Sequence, residues 1–239
     1  MENNSFTFKH FTIHQEKCAM KVGTDGTLLG AWARTNLENP QRILDIGTGT
    51  GLIALMMAQR FPLAKVTAID IDHDAFIQAS QNIALSPYHQ RIEVLNISLQ
   101  QYAPTIERAF EVIVCNPPFF TNSLQCPNIQ KNIAKHTISL SFRELCKHVS
   151  RLLSDDGAFS VIVPIERKND MIYEAALSQM FMQKSYSVKT TPHKSARRVL
   201  LSFCKHKNYV EDDVEYTITI GDDLYKHLTS PFYLEKFDN

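Results

Sequence analysis

Short apolar runs alternate along the chain with stretches in which apolar residues recur at helical spacing. Residues 43–46, 64–69, 92–97, 110–115 and 158–163 read as buried strands. The segments 52–60, 74–84, 142–153 and 169–182 read as the helices between them, with 155–157 as a turn. Regular strand–helix alternation dictates a mostly parallel sheet covered by helices on both faces. Residues 185–189 and 199–204 are two further strands whose polar connection leaves little room for a helical crossover. They are therefore expected to pair antiparallel, as a closing hairpin on a sheet of seven strands. Upstream, residues 6–13 alternate as a short strand or extended arm, and Thr24-Asp25 looks like a cap for a helix over 28–33. Loops 121–137 and 190–198 and the first residues are the expected mobile parts.

Within this pattern one junction stands out. The first core strand breaks into Asp45-Ile46-Gly47-Thr48-Gly49-Thr50-Gly51 before the helix at Leu52, and glycines at this spacing permit positive φ and close approach of backbone to a ligand. Because the glycines alternate, the pattern departs from the dinucleotide fingerprint, in which the third glycine follows the second by three residues. A tight turn without ligand is the alternative reading. The next strand ends at Asp70, roughly 20 residues beyond the loop, where α/β folds place an acid that accepts ribose hydroxyls.

A second junction carries chemistry. Asn116-Pro117-Pro118-Phe119 directly follows an apolar strand, at the sheet edge where α/β ligand sites lie. An amino group conjugated to a ring is a poor nucleophile, because its lone pair is delocalised. Two acceptors holding its two hydrogens favour pyramidalisation, and the Asn116 side-chain oxygen and the Pro117 carbonyl suit that role. Two fixed proline φ angles hold the carbonyl still. Phe119 offers a face for stacking a planar base, worth about 1–3 kcal/mol. Cys115 beside them, at the end of an apolar strand, reads as a buried inert thiol.

Composition narrows the classes. The 239 residues suffice for one domain over 1–239, with residues 1–36 as an N-terminal extension over the ligand site and 40–239 as the core. Lys plus Arg and Asp plus Glu both number 25, so any nucleic-acid partner must be held by a local patch. Residues 184–207 supply one, with Lys189, Lys194, Arg197 and Arg198 in or beside a polar loop and no acidic residue in the run; a solvated loop balanced by the acids at 211–215 is the competing reading. Five scattered cysteines without a Cys-x-x-Cys pair point to reduced thiols, a cytoplasmic location and no metal site. No run approaches the ~20 apolar residues of a membrane span, so no membrane partner is expected.

The glycine loop resembles the first motif of S-adenosylmethionine-dependent methyltransferases, and Asn-Pro-Pro-Phe is similar to that of amino-methyltransferases acting on adenine, on guanine in ribosomal RNA, or on a glutamine amide of release factors. Phe6-Thr-Phe-Lys-His-Phe11 and Cys18-Ala-Met-Lys-Val-Gly-Thr-Asp-Gly-Thr-Leu-Leu-Gly-Ala-Trp32 resemble the bacterial tRNA-Val adenine methyltransferase family, through to Phe232-Tyr233-Leu234. That resemblance implies a Rossmann-like class I methyltransferase fold, S-adenosylmethionine as cofactor, and N6 of the adenine 3′ to the anticodon of tRNA-Val as target. It places Lys21 and Thr24 near the methionine end of the cofactor, with Asp45, Gly47, Thr48, Gly49 and Gly51 beneath it. Asp70 would take the ribose, Ile71 the cofactor adenine, and Asn116 to Phe119 the target base. Where family members commonly carry Asp this chain has Ser98, whose hydroxyl is a weaker acceptor than a carboxylate for the cofactor's adenine amino group. The rival readings are a glutamine-amide methyltransferase and a non-catalytic module binding cofactor and RNA.

Overall fold

The computed structural model describes residues 4–18, 21–106, 109–118, 140–207 and 216–234. Its core strands are β3 (Arg42–Ile46), β4 (Lys65–Asp70), β5 (Ile92–Asn96), β6 (Phe110–Cys115), β7 (Leu153–Pro164), β8 (Phe181–Lys189), β9 (Arg198–Cys204) and β10 (Tyr216–Thr219). Among the described residues they form one sheet in the order β10-β8-β9-β7-β6-β3-β4-β5, in which β9 alone runs antiparallel to its neighbours. The expected antiparallel pair of β8 and β9 is present.

Side chains alternate across this sheet as a period of two requires. Ile43, Val66, Val112, Val114, Ile162 and Leu200 face one core, closed by α1 (Thr24–Trp32), α2 (Leu52–Arg60) and α3 (His73–Ala84). Leu44, Ile69, Ile113, Val161 and Leu201 face the other, under α4 (Leu99–Tyr102), α5 (Phe142–Leu152) and α6 (Lys168–Leu177). Burial on both faces explains why the strands read as continuous apolar runs.

The structure departs from the sequence pattern in several places. Helix α6 stops at Leu177 rather than at residue 182: Gln179 turns to φ 58°, Met180 N–H reaches back to Ala175 O (2.9 Å) and Gln179 N–H to Ala176 O (3.0 Å). That is a Schellman ending on a non-glycine residue, which composition conceals, and β8 starts at once at Phe181. β7 absorbs the expected turn at 155–157: Phe110 pairs with Leu153 and Val112 with Ala158, so the extra residues bulge out within the strand. Helix α1 begins earlier than expected, with Gly23 as its N-cap and Thr24 as its first residue. The eighth strand, β10, lies parallel to β8 and is followed by α7 (Asp223–Thr229); only Ile218 in β10 is buried, too weak a pattern to read.

The amino-terminal arm is a hairpin, β1 (Ser5–Thr7) with β2 (Thr12–His14), closed by Phe8 N–H to Phe11 O at 2.8 Å. Phe8, Phe11 and Ile13 are buried in the same core as α1 and α2, and Phe8 stacks on Tyr233 at 5.8 Å. Beyond the hairpin the chain is strapped to α3. Buried Asn82 accepts from His14 N–H (2.9 Å) and donates to the carbonyls of His14 and Thr50 (both 2.8 Å). Gln78 Oε1 accepts Lys17 N–H at 3.1 Å.

Candidate cofactor and substrate site

Register brings the two sequence junctions together. Val161, Cys115, Ile46, Ile69 and Leu95 form one row across β7, β6, β3, β4 and β5. One step beyond it on neighbouring strands come Asn116, Gly47, Asp70 and Asn96. With strands about 4.8 Å apart, the glycine loop lies between Asn116 and Asp70 at the carboxyl edge of the sheet.

The loop is held from below and open above. Gly47 N–H and Thr48 N–H both donate to Ile69 O (2.9 and 3.1 Å), and Gly49 N–H donates to Asp70 Oδ2 at 2.8 Å. Gly47, Gly49 and Gly51 take φ of 69°, 57° and 82°. A Cβ on Gly51 would rest 3.5 Å from Ala79, so this glycine serves the tight entry to α2. A Cβ on Gly47 or Gly49 meets nothing within 4 Å among the described residues: these two line a cradle. Buried Asp45 shapes it from behind, its Oδ2 accepting Thr48 Oγ1–H (2.6 Å) and Ala54 N–H (3.1 Å), while Oδ1 has no hydrogen-bond partner among the described residues. Desolvation pushes its carboxyl up to about 7, against the lowering effect of those two donors.

Asp70 also accepts Asp72 N–H on Oδ1 (2.9 Å), and next to it Ile71 projects with 51% of its surface exposed. Asn96, which no sequence motif marks, pins this corner by donating to the carbonyls of Asp70 (3.0 Å) and Ile71 (3.2 Å). The only sequence signal was its place at the end of a strand. Ser98 is buried as the N-cap of α4, accepting Gln101 N–H (3.2 Å) and donating to Gln101 Oε1 (3.1 Å). Its hydroxyl proton is therefore already committed.

Asn116 and Pro117 follow β6 with the Asn116 side-chain oxygen buried and Pro118 exposed; Phe119 lies outside the described residues. Burial, reinforced by the charges of Asp45 and Asp70, raises the Cys115 thiol far above its ordinary value, which removes it as a nucleophile. Exposed Lys21 and partly buried Thr24 sit at the start of α1. A Cβ on Gly26 would come 3.3 Å from Leu52, so the first turn of α1 lies against the end of the glycine loop.

The basic run divides between the two sheet edges. Arg198 pairs with Pro164 at the carboxyl end of β7, so the loop carrying Lys189, Lys194 and Arg197 stands at the site's edge, with Lys194 and Arg197 exposed. Lys205 (on Leu153 O at 2.6 Å, near Asp155) and Lys207 (over the Phe181 ring at 5.0 Å) lie at the opposite end. Arg198 is turned inward: its Nε donates to Asp25 Oδ2 at 2.8 Å.

The donor set suits a cationic adenosyl cofactor. Open glycine backbone, an acid at the end of β4, an exposed Ile71 face and a buried carboxyl oxygen without a donor among the described residues are the features such a molecule would engage. Residues 26–194 match the methyltransferase small domain family. The chain is 45% identical to a tRNA1(Val) (adenine(37)-N6)-methyltransferase of Phocaeicola vulgatus over 98% of its length and 99% of that protein, and 43% identical to one of Bacteroides fragilis over 98% and 100%. In fold it is similar to a predicted O-methyltransferase of Agrobacterium tumefaciens, with TM-score 0.62 and 17% identity over 90% of this chain and all of that one. TYW2 of Pyrococcus horikoshii, solved with MeSAdo, follows at TM-score 0.58 and 13% identity over 84% and 71%. With its core, its carboxyl-edge site and nearly its whole length matched, the chain belongs to the methyltransferase small-domain family, in the group of the tRNA1(Val) (adenine(37)-N6)-methyltransferases.

Proposed function

We propose that this protein methylates the N6 amino group of the adenine 3′ to the anticodon in tRNA-Val, in the cytoplasm, with S-adenosylmethionine as methyl donor. The observation that carries the reading is the register of β3 against β6, which sets Asn116 one strand from the glycine loop. A base held at Asn116 and a cofactor held at Gly47–Gly51 would then meet at one sheet edge. When bound, the cofactor supplies an electrophilic methyl group on a sulfonium. Gly47, Thr48, Gly49 and Gly51 would pass under its methionine part, with Lys21 and Thr24 beside it. Asp70 would accept the ribose hydroxyls, and Ile71 would pack on the adenine with Ser98 at that ring's edge.

The Asn116 side-chain oxygen and the Pro117 carbonyl would each accept one hydrogen of the target amino group and turn its lone pair toward the methyl. Pro118 keeps that carbonyl fixed, and Phe119 would stack on the flipped base. Alignment and exclusion of water are the main contributions of the protein, with the proton lost late to solvent. Residues 1–36 would cover the cofactor as part of a single domain over 1–239. Lys189, Lys194 and Arg197 would grip phosphates beside the pocket. The names of the relatives support tRNA as the acceptor.

The test is transfer of labelled methyl to unmodified tRNA, to anticodon stem-loops bearing adenine or guanine 3′ of the anticodon, and to a release-factor protein. Label on adenine in the stem-loop is expected; label on the protein alone overturns the substrate. In the same assay Asn116→Ala should lower kcat by about 100-fold or more, on the scale of losing an oriented acceptor, with cofactor affinity retained.

A further inference from the structure

The ion pair between Arg198 and Asp25 joins residues 173 positions apart and lies partly buried, with about a third of each side chain exposed. Its two ends have different surroundings. Arg198 opens β9 immediately after the basic loop, anchored by pairing to Pro164 and Val188. Asp25 sits in the first turn of α1, next to Gly26, whose Cα face rests on Leu52 directly after Gly51. An acid in the first turn is also favoured by the helix dipole, so Asp25 serves the helix and the guanidinium together.

We propose that Arg198 is a positioning residue for the cofactor end of the site rather than a phosphate contact. By holding Asp25 it seats the first turn of α1 against the glycine loop, and with it the Lys21–Thr24 segment. Phosphate contact falls to Lys189, Lys194 and Arg197. The pair thereby ties the edge of the basic loop to the cofactor cradle, so that order in one favours order in the other. This inference rests on the cofactor reading above.

Its chemistry is specific to arginine. The Arg198 Nε–H points at Oδ2, and its Nη1 donates to the carbonyl of Arg197 at 3.1 Å, so the guanidinium bridges the acid and the last residue of the loop. A lysine offers a point charge without that fixed fork.

The experiment compares Asp25→Asn, Arg198→Gln, the double variant and Arg197→Gln, with circular dichroism confirming the fold of each. Calorimetric titration with S-adenosylhomocysteine reads cofactor affinity without any turnover. RNA affinity is read as the salt dependence of stem-loop binding. Asp25→Asn and Arg198→Gln should each weaken cofactor binding about five- to tenfold, the lower end for coupled sites. The double variant should be no worse than either single one, and KM for S-adenosylmethionine should rise with kcat nearly unchanged. Neither should alter the salt slope of RNA binding, whereas Arg197→Gln should reduce that slope by about one with cofactor affinity retained. The inference is overturned if Arg198→Gln lowers the salt slope at unchanged cofactor affinity, or if Asp25→Asn binds cofactor like the wild type. Wild-type protein that binds S-adenosylhomocysteine yet methylates no tRNA would overturn the proposed substrate and leave the titrations to decide the ion pair.

Discussion

Replacing Gly49 by alanine separates what the glycine loop does for folding from what it does for binding. At φ 57° an added methyl group costs about 1–2 kcal/mol of left-handed strain. It adds no packing penalty, since no atom of the described residues lies within 4 Å of the new Cβ. The reduced freedom of the unfolded chain returns about 0.4–1 kcal/mol, so the net loss should be near 1 kcal/mol. For a chain of this size that is a fall in Tm of about 2–4 °C. The methyl group would however stand in the space assigned to the cofactor, and affinity should fall by more than about tenfold, because displaced contacts of only 1.4 kcal/mol already amount to that. Gly30→Ala is the matched control. Its Cβ would lie 2.6 Å from Sδ and 3.1 Å from Cβ of fully buried Met56, so overpacking should cost about 1–3 kcal/mol in the helix interface with little change in cofactor affinity. Urea denaturation and calorimetric titration of both variants measure the contrast. Wild-type affinity in a folded Gly49→Ala protein would refute the assignment of the cradle.

Asp45 predicts a pH signature. Its carboxyl, ordinarily at 3.8, is carried to about 7 by burial, so the folded protein keeps a proton that the unfolded chain releases. The stability this proton provides is complete below about pH 4 and is lost as pH rises through about 7, a change of up to about 4 kcal/mol. Asp45→Asn mimics the protonated group, so urea midpoints of wild type and variant should converge at acid pH and diverge toward pH 8; parallel curves would refute the burial argument. Asn82→Ala removes three hydrogen bonds linking the amino-terminal arm, α3 and the glycine loop. At about 1–3 kcal/mol for a buried group left unpaired, thermal unfolding should shift by several degrees, and limited proteolysis should cut first near residues 15–20. An uncut arm would show that the core packing of Phe8 and Ile13 suffices.

The elements most legible in the sequence were those with the least choice. Strands β3, β4 and β6 are largely buried on both faces, and β5 at the end of the sheet still carries Ile92, Val94 and Leu95, so a run of Ile, Val and Leu ending at Gly, Asp or Asn marks both the strand and its edge. Gly47, Gly49 and Gly51 were legible for a similar reason, since alternating glycines rarely serve a backbone that needs no positive φ. Local geometry without a compositional mark is not legible in this way. Gln179 ends α6 in a conformation usually left to glycine, and β7 bulges at 155–157 where a turn was expected. β10 shows one buried residue in four and takes its place by pairing with β8.

The site divides along the same line. The residue types able to hold an adenosyl group and an amino group were determined by the sequence, because backbone freedom, a carboxylate after a strand and a proline-fixed carbonyl are properties of residues and their neighbours. Which of the basic residues face the site was not. Lys189, Lys194, Arg197, Arg198, Lys205 and Lys207 are near in sequence, but strands β8 and β9 carry Lys205 and Lys207 to the far edge and turn Arg198 inward onto Asp25. The roles of Asn96 and Asn82 were likewise decided only in three dimensions, since an amide states its donors and acceptors while the fold alone supplies the carbonyls they meet. Chemistry carried by one residue or its neighbours can be read along a chain; partnership between distant residues exists only once the sheet has set its order and register.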